Sequence, residues 1–265
     1  MRFLILCLLS LVLINCKSIP INENRDDCKK YYNQFQVSGS FVLFNEKENK
    51  YTFYNQAQYN EAFIPASTFK ICNTLIGLET GVIKDEDEIF LWDSIVRQIP
   101  AWNHSQNLHS AFKKSTVWYY QELARRIGGK QMKFWLEKMN YGNADTTGGI
   151  DQFWLKGGLR IIPKQQIDFL KRIQHTSLPV SKRSISILKK IMLEKDSTNY
   201  KVYSKTGWGE QDNKDIGWYV GFIETNNNVY YFVNCIQTND KNNTNFAKAR
   251  IKIAEEILKE ISIRK

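Results

Sequence analysis

Residues 36–44 and 50–54 are β-rich runs, and the five residues between them, Asn45 to Asn49, are all polar. Two such runs around a polar turn predict a β-hairpin. From Ser67 to about Lys195 the spacing of apolar side chains lengthens. Ile71, Leu75, Ile76 and Leu78 recur near helical intervals, with Pro65 ahead of the first turn and Gly81 as a stop. Residues 117–127, 130–139, 163–173 and 181–195 show helical periodicity or helix-start signals, and 141–158, rich in Gly, Asn, Asp and Thr, predicts a loop. β-rich runs return over 201–206, 216–223 and 229–236, joined by short polar turns that imply antiparallel pairing, and an amphipathic helix over about 245–263 closes the chain. This order predicts an α+β fold: one antiparallel sheet drawn from both chain ends and flanked by helices. A mainly helical region, approximately 61–195, is inserted between the two halves.

Met1-Arg2 followed by the apolar run 3–14 is a charged start and a segment too short to span a bilayer. It predicts an export signal over 1–16. The run ends Leu13-Ile14-Asn15-Cys16, similar to a bacterial lipoprotein box with Asn15 where a small residue is usual, so Cys16 is the candidate lipid anchor. Residues 17–265 are then a single exported domain, placed in the bacterial periplasm, with a polar tether at its start. The remaining cysteines, Cys28, Cys72 and Cys235, are odd in number and fit no metal spacing. Cys72 and Cys235 lie in apolar runs and read as buried thiols, so the fold is not expected to depend on disulfides.

With 43% hydrophobic and 13% aromatic residues, the 265-residue chain can bury a full core. The net charge of +10 raises nucleic acid as a partner. The lysines, however, alternate with Asp, Glu and Asn and form no basic stripe interleaved with aromatics, which excludes it. His104, His109 and His175 share no ligand spacing, so no metal is expected.

The candidate chemistry begins at Ser67-Thr68-Phe69-Lys70. A hydroxyl and an amine one turn apart near a helix start supply a nucleophile with an adjacent base, beside N–H groups suited to an oxyanion. S-x-x-K also occurs at Ser110–Lys113 and Ser186–Lys189, so the tetrapeptide alone does not choose. Four further short motifs fall at the junctions of the predicted blocks. Ser115-Thr116-Val117 starts a helix, Tyr141-Gly142-Asn143 opens the central loop, Phe153-Trp154-Leu155 lies within it, and Lys205-Thr206-Gly207 ends the first returning strand.

With these motifs in this order, nearly the whole mature chain resembles the class D (oxacillinase-type) β-lactamases, serine enzymes of the penicillin-recognising fold. It departs from class A, whose S-D-N motif is replaced by Ser115-Thr116-Val117 and whose glutamate base has no counterpart in the central loop. The resemblance implies hydrolysis of the β-lactam amide of penicillin-type antibiotics through Ser67. Lys70, carboxylated by carbon dioxide or bicarbonate, is the implied base, with the Trp154 indole as its donor and Val117, Phe153, Trp154 and Leu155 as apolar surroundings. It assigns the oxyanion to the backbone N–H groups of Ser67 and Trp208, and the proton relay to Ser115. Substrate carboxylate falls to Lys205, Thr206 and Arg250, with Gly207 allowing close approach. Tyr141 and Asn143 are implied as supporting residues. Read singly, Lys205-Thr206-Gly207 is equally an ordinary strand end, Trp154 packing and Arg250 a solvated helix charge. The competing functions are a β-lactam sensor or penicillin-binding protein that is acylated without efficient turnover, and a non-enzymatic surface lipoprotein.

Overall fold

The two halves of the chain meet in one sheet. A computed structural model describes residues 19–261 and 263; the export segment and Cys16 lie outside the described residues. The first half contributes β1 (Ile21–Asn24), α1 (Lys29–Gln34), β2 (Ser38–Asn45) and β3 (Lys50–Tyr54). The inserted block holds α2 (Lys70–Glu79), β4 (Ile89–Phe90), β5 (Gln106–Asn107), α3 (Leu108–Lys113), α4 (Val117–Ile127), α5 (Gly129–Lys138), α6 (Pro163–Gln174) and α7 (Lys182–Met192). Then follow β6 (Leu193–Asp196), β7 (Tyr200–Gln211), β8 (Lys214–Thr225), β9 (Val229–Thr238) and α8 (Phe246–Glu260). Sheet order is β1-β3-β2-β9-β8-β7-β6, with β2 zipped antiparallel to β9 from Ser38–Gln237 to Asn45–Tyr230. The expected α+β architecture and the joining of the chain ends are therefore present.

Details differ from the sequence expectation. Edge strand β1 runs parallel to β3, Ile21 opposite Lys50, so the sheet is mixed at that edge; all four β1 residues are exposed and carry no alternation to read. The helix expected over 181–195 stops at Met192, because Leu193, Lys195 and Asp196 pair with β7 despite ordinary helix propensity. The first returning strand does not end at Gly207. It continues through Gly209 to Gln211 and turns at Asp212 and Asn213, both left-handed (φ 51° and 60°), as a two-residue hairpin requires. The segment 80–116, silent in the sequence, holds β4, β5 and α3.

Period-two side chains sort onto two cores because helices cover both faces of the sheet. Val42, Phe44, Tyr231, Val233 and Cys235 face the inserted helices, while Phe41, Leu43, Phe232 and Ile236 face Ile253 and Ile257 of α8. A one-residue register slip would exchange the two sets. Within the larger core, every α2 residue from Lys70 to Leu78 is buried, and α4, α5 and α7 pack around that helix. No described helix is long and apolar enough to cross a membrane.

Candidate active site

Ser67 sits in a 3₁₀ turn, Ala66–Phe69, that feeds directly into α2. Ala66, just before it, has φ +48°, in the small left-handed region that a Cβ disfavours. Such strain costs about 1–3 kcal/mol and persists only where the surroundings over-determine it. Here they do. Phe63 and Ile161 exchange backbone hydrogen bonds at 3.0 and 2.9 Å, and Ala66 N donates to the Trp154 carbonyl at 3.1 Å. Trp218 Nε1 donates to Ile64 O at 2.9 Å, and Gln211 Oε1 accepts from Ile64 N at 2.8 Å. Thr68 Oγ1 donates to Pro65 O at 2.7 Å and accepts from Gln166 Nε2 at 2.9 Å.

One turn on, Lys70 Nζ donates to Ser67 Oγ at 2.7 Å. Lys70 is fully buried, and burial, reinforced by Lys205, pushes its ammonium far below the usual lysine range. Burial therefore favours the neutral amine, the form able to accept a proton. Its Nζ lies 5.2 Å from the centroid of the Tyr120 ring. The rings of Phe153 and Trp154 pack on Phe69 at 5.1 and 5.2 Å. Val117 and Leu155 are half-buried. Trp154 is completely buried, yet its Nε1–H has no hydrogen-bond partner. An orphaned buried donor costs about 1–3 kcal/mol, so it calls for an acceptor.

Strand β7 forms the opposite wall. β6 pairs with it only as far as Tyr203, and beyond that point the Ser67 turn lies against the edge instead of a strand. A Cβ at Gly207 would come within 3.0 Å of Pro65 O and 3.3 Å of Thr68 N, so this glycine lets the strand and the turn meet. Gly209 meets Ala66 in the same way, its absent Cβ 3.1 Å from Ala66 Cβ. Trp208 stands between them with its indole turned outward, Nε1 donating to Asp215 Oδ1 at 3.2 Å. Lys205 is 5% exposed and donates at 3.1 Å to both Ser115 Oγ and Thr206 O. Burial, then the neighbouring Arg250, pulls its ammonium down to about 7. Ser115 lies between α3 and α4 at φ +55°, a second left-handed non-glycine residue at the site. Thr206 is half-buried beside it. Arg250 is not a solvated charge: Nη1 donates to Gly207 O at 2.8 Å, Nε to Ala247 O at 3.1 Å, and the side chain lies over Gly217. Burial lowers it only to about 10, so it stays cationic at neutral pH.

The central loop presents Phe153-Trp154-Leu155. Asn143 ties its ends together, Nδ2 donating to Gly158 O at 3.0 Å while Oδ1 accepts from Arg160 N at 2.9 Å and Asp145 N at 3.2 Å. Tyr141 is buried, its ring 5.6 Å from Phe69 and 4.9 Å from Phe169. The structure also separates the three S-x-x-K matches. Lys113 donates to Leu193 O, and Lys189 is held by Glu224 at 2.6 Å and Gln174 at 2.8 Å. Only in the Ser67 match do the lysine and serine bond to each other among the described residues. Tyr120, Gln166 and Trp218 were not legible as site residues, since buried aromatics and a glutamine on helices and strands read as core. His175 meets Glu46 at 2.5 Å and His104 meets Lys114 at 3.1 Å. Among the described residues no group of three or more metal-ligating side chains occurs, and Cys28, Cys72 and Cys235 are free and buried.

The penicillin binding protein transpeptidase domain matches residues 29–262. Beta-lactamase OXA-48 of Klebsiella pneumoniae is 43% identical over 202 residues, 76% of this chain and 76% of that protein. The chain belongs to the class D serine β-lactamases. A solved class D β-lactamase from Nostoc superposes on this one with a TM-score of 0.84 at 41% identity, covering 89% of this chain and 98% of the other. The C-terminal domain of the Bacillus licheniformis BlaR penicillin-receptor is also similar, with a TM-score of 0.87 at 32% identity over 93% of this chain and 98% of that domain. As a class D β-lactamase the chain is a β-lactam hydrolase, and the shared fold accounts for the sheet built from both chain ends.

Proposed function

We propose that this β-lactamase opens the lactam amide of penicillin-type antibiotics through an ester on Ser67, with carboxylated Lys70 as the base for forming and hydrolysing that ester. The observation that carries this reading is the buried Ser67–Lys70 contact beside a Trp154 N–H with no acceptor. Burial favours the neutral form of the Lys70 amine, and only a neutral amine adds carbon dioxide. The carbamate supplies an anionic oxygen, basic at neutral pH, and the Trp154 indole is the donor fitted to hold it. Ser67 Oγ attacks the lactam carbonyl carbon, and the backbone N–H groups of Ser67 and Trp208 take up the oxyanion. The C–N bond then breaks, and Ser115, bonded to Lys205, passes a proton to the departing nitrogen. Lys205, Thr206 and Arg250 hold the substrate carboxylate, the guanidinium offering a fork matched to it. Water attacks the ester carbonyl in the second half and frees Ser67.

Purified protein mixed with excess chromogenic cephalosporin tests the reading. Sustained colour development well beyond one equivalent supports it. A burst of one equivalent followed by no turnover would instead favour the sensor role, consistent with the likeness to the BlaR domain. Export through residues 1–16 and anchoring at Cys16 belong to the same proposal, since a lactamase outside the cytoplasmic membrane meets its substrate there. Incorporation of labelled fatty acid that survives Cys16→Ser would overturn the anchor.

A further inference from the structure

Beside Lys205, where β6 parts from β7, lies a cavity of about 210 Å³ whose lining includes Lys113, Glu194, Ser204, Lys205, Thr206 and Tyr219. The pairing of the two strands slips there: Leu193 faces Tyr203 while Lys195 faces Val202, which leaves Glu194 as an extra, unpaired residue. A bulge of this kind re-aims a side chain. Glu194 is aimed at the strand residue next to Lys205, its Oε2 accepting from Ser204 Oγ and, at 2.9 Å, from Tyr219 OH. We propose that Glu194 is a positioning residue for hydrolysis: fixed by Ser204 and Tyr219 across the shared cavity, it holds the Lys205 ammonium charged and directed at Ser115.

The surroundings of Lys205 explain why a carboxylate is needed. Two basic side chains bear on it, Arg250 from α8 and Lys113 from α3, and Glu194 on β6 is an acidic group that opposes them. Burial and Arg250 already bring Lys205 to about 7, so near neutrality a small change of field decides whether it carries a charge. Lys113 is itself lowered by burial and raised by Glu194, so the same carboxylate serves both amines.

This inference rests on Lys205 as the cation that meets substrate, and the experiment keeps the two apart. Glu194→Gln retains an acceptor for Ser204 and Tyr219 but removes the charge. The alkaline limb of kcat/KM for a penicillin is expected to move down by on the order of one pH unit, the effect of one partly screened charge on a buried group. At pH 8 KM rises several-fold, at pH 6 it is nearly unchanged, Tm holds, and Glu194→Asp restores most of the wild-type profile. An unshifted profile in Glu194→Gln, or a uniform loss at every pH with a fallen Tm, would overturn the proposal. Lys205→Ala run alongside separates the causes. If it loses substrate binding while Glu194→Gln does not shift, only the role of Glu194 fails; if it keeps wild-type KM, the reading of Lys205 fails and Glu194 with it.

Discussion

Trp154→Phe isolates one hydrogen bond from the packing that surrounds it. The Trp154 ring packs 5.2 Å from Phe69 and 5.0 Å from Phe153, and a phenyl ring preserves much of that apolar wall. What disappears is the buried Nε1–H, which has no hydrogen-bond partner in the structure and is the proposed donor to a Lys70 carbamate. A hydrogen bond to a charged group is worth about 1.5–3 kcal/mol. The carboxylation constant should therefore fall roughly 10- to 150-fold, at 1.4 kcal/mol for each factor of ten. Steady-state penicillin turnover in degassed buffer, followed against added bicarbonate, should show half-saturation displaced upward by that factor, with excess bicarbonate restoring the rate. Because a ligand that binds only the native state stabilises it by mass action, bicarbonate should also raise Tm in the wild type at concentrations that leave the variant unmoved. Carbon-13 NMR with labelled bicarbonate reads the carbamate directly. Equal half-saturation in the two proteins would remove the indole from the mechanism, and no bicarbonate response in either would leave Lys70 working as a free amine.

Ser67→Ala should show no covalent adduct by intact-mass spectrometry after penicillin exposure, and an adduct at Ser110 or Ser186 would redirect the assignment. Lys70→Met should lower turnover by roughly 10²–10⁴-fold, the usual contribution of a positioned base. The same change should raise Tm in bicarbonate-free buffer. Lys70 has a lower pKa folded than unfolded, so the unfolded chain binds more protons between the two values and stability rises with pH. The gain from Lys70→Met is then largest in mild acid and shrinks toward alkaline pH; a gain that grows with pH would contradict the sign. Arg250→Ala should raise KM more than it lowers kcat, by roughly 10- to 150-fold for one charge-assisted contact of about 1.5–3 kcal/mol. An unchanged KM with a reduced kcat would mean that its bond to Gly207 O, not substrate binding, is what matters.

The parts of the site that a sequence discloses are those carried by local spacing. Ser67 and Lys70 are one helical turn apart, so their contact follows from the chain itself. The link from Lys205 to Ser115 does not, because it joins a strand to a helix junction across the cleft and rests on the order of motifs. Asn143 stood in the sequence only as a supporting residue implied by the resemblance; its bonds to Gly158 and Arg160 across the loop appear only in the folded chain. Gly207 was misread as a strand end, since its freedom serves contact with Pro65 and Thr68 rather than termination. Glu194 looked like the last turn of a helix; only pairing with β7 makes it a bulge. Tyr120 was hidden within Trp118-Tyr119-Tyr120, where nothing marks which ring faces the lysine.

The antiparallel seam between β2 and β9 fixes when during its synthesis the protein becomes an enzyme. Ser38 cannot find Gln237, nor Asn45 Tyr230, until the chain has been made almost to its last helix. Before then the left-handed Ala66 has neither Trp218 nor Gln211 to hold it. Pairings this distant in sequence form slowly. A nascent chain that has reached α7 therefore carries Ser67 and Lys70 without the partners that set their geometry. Acylation competence is therefore expected to wait for the late pairing of β9 with β2.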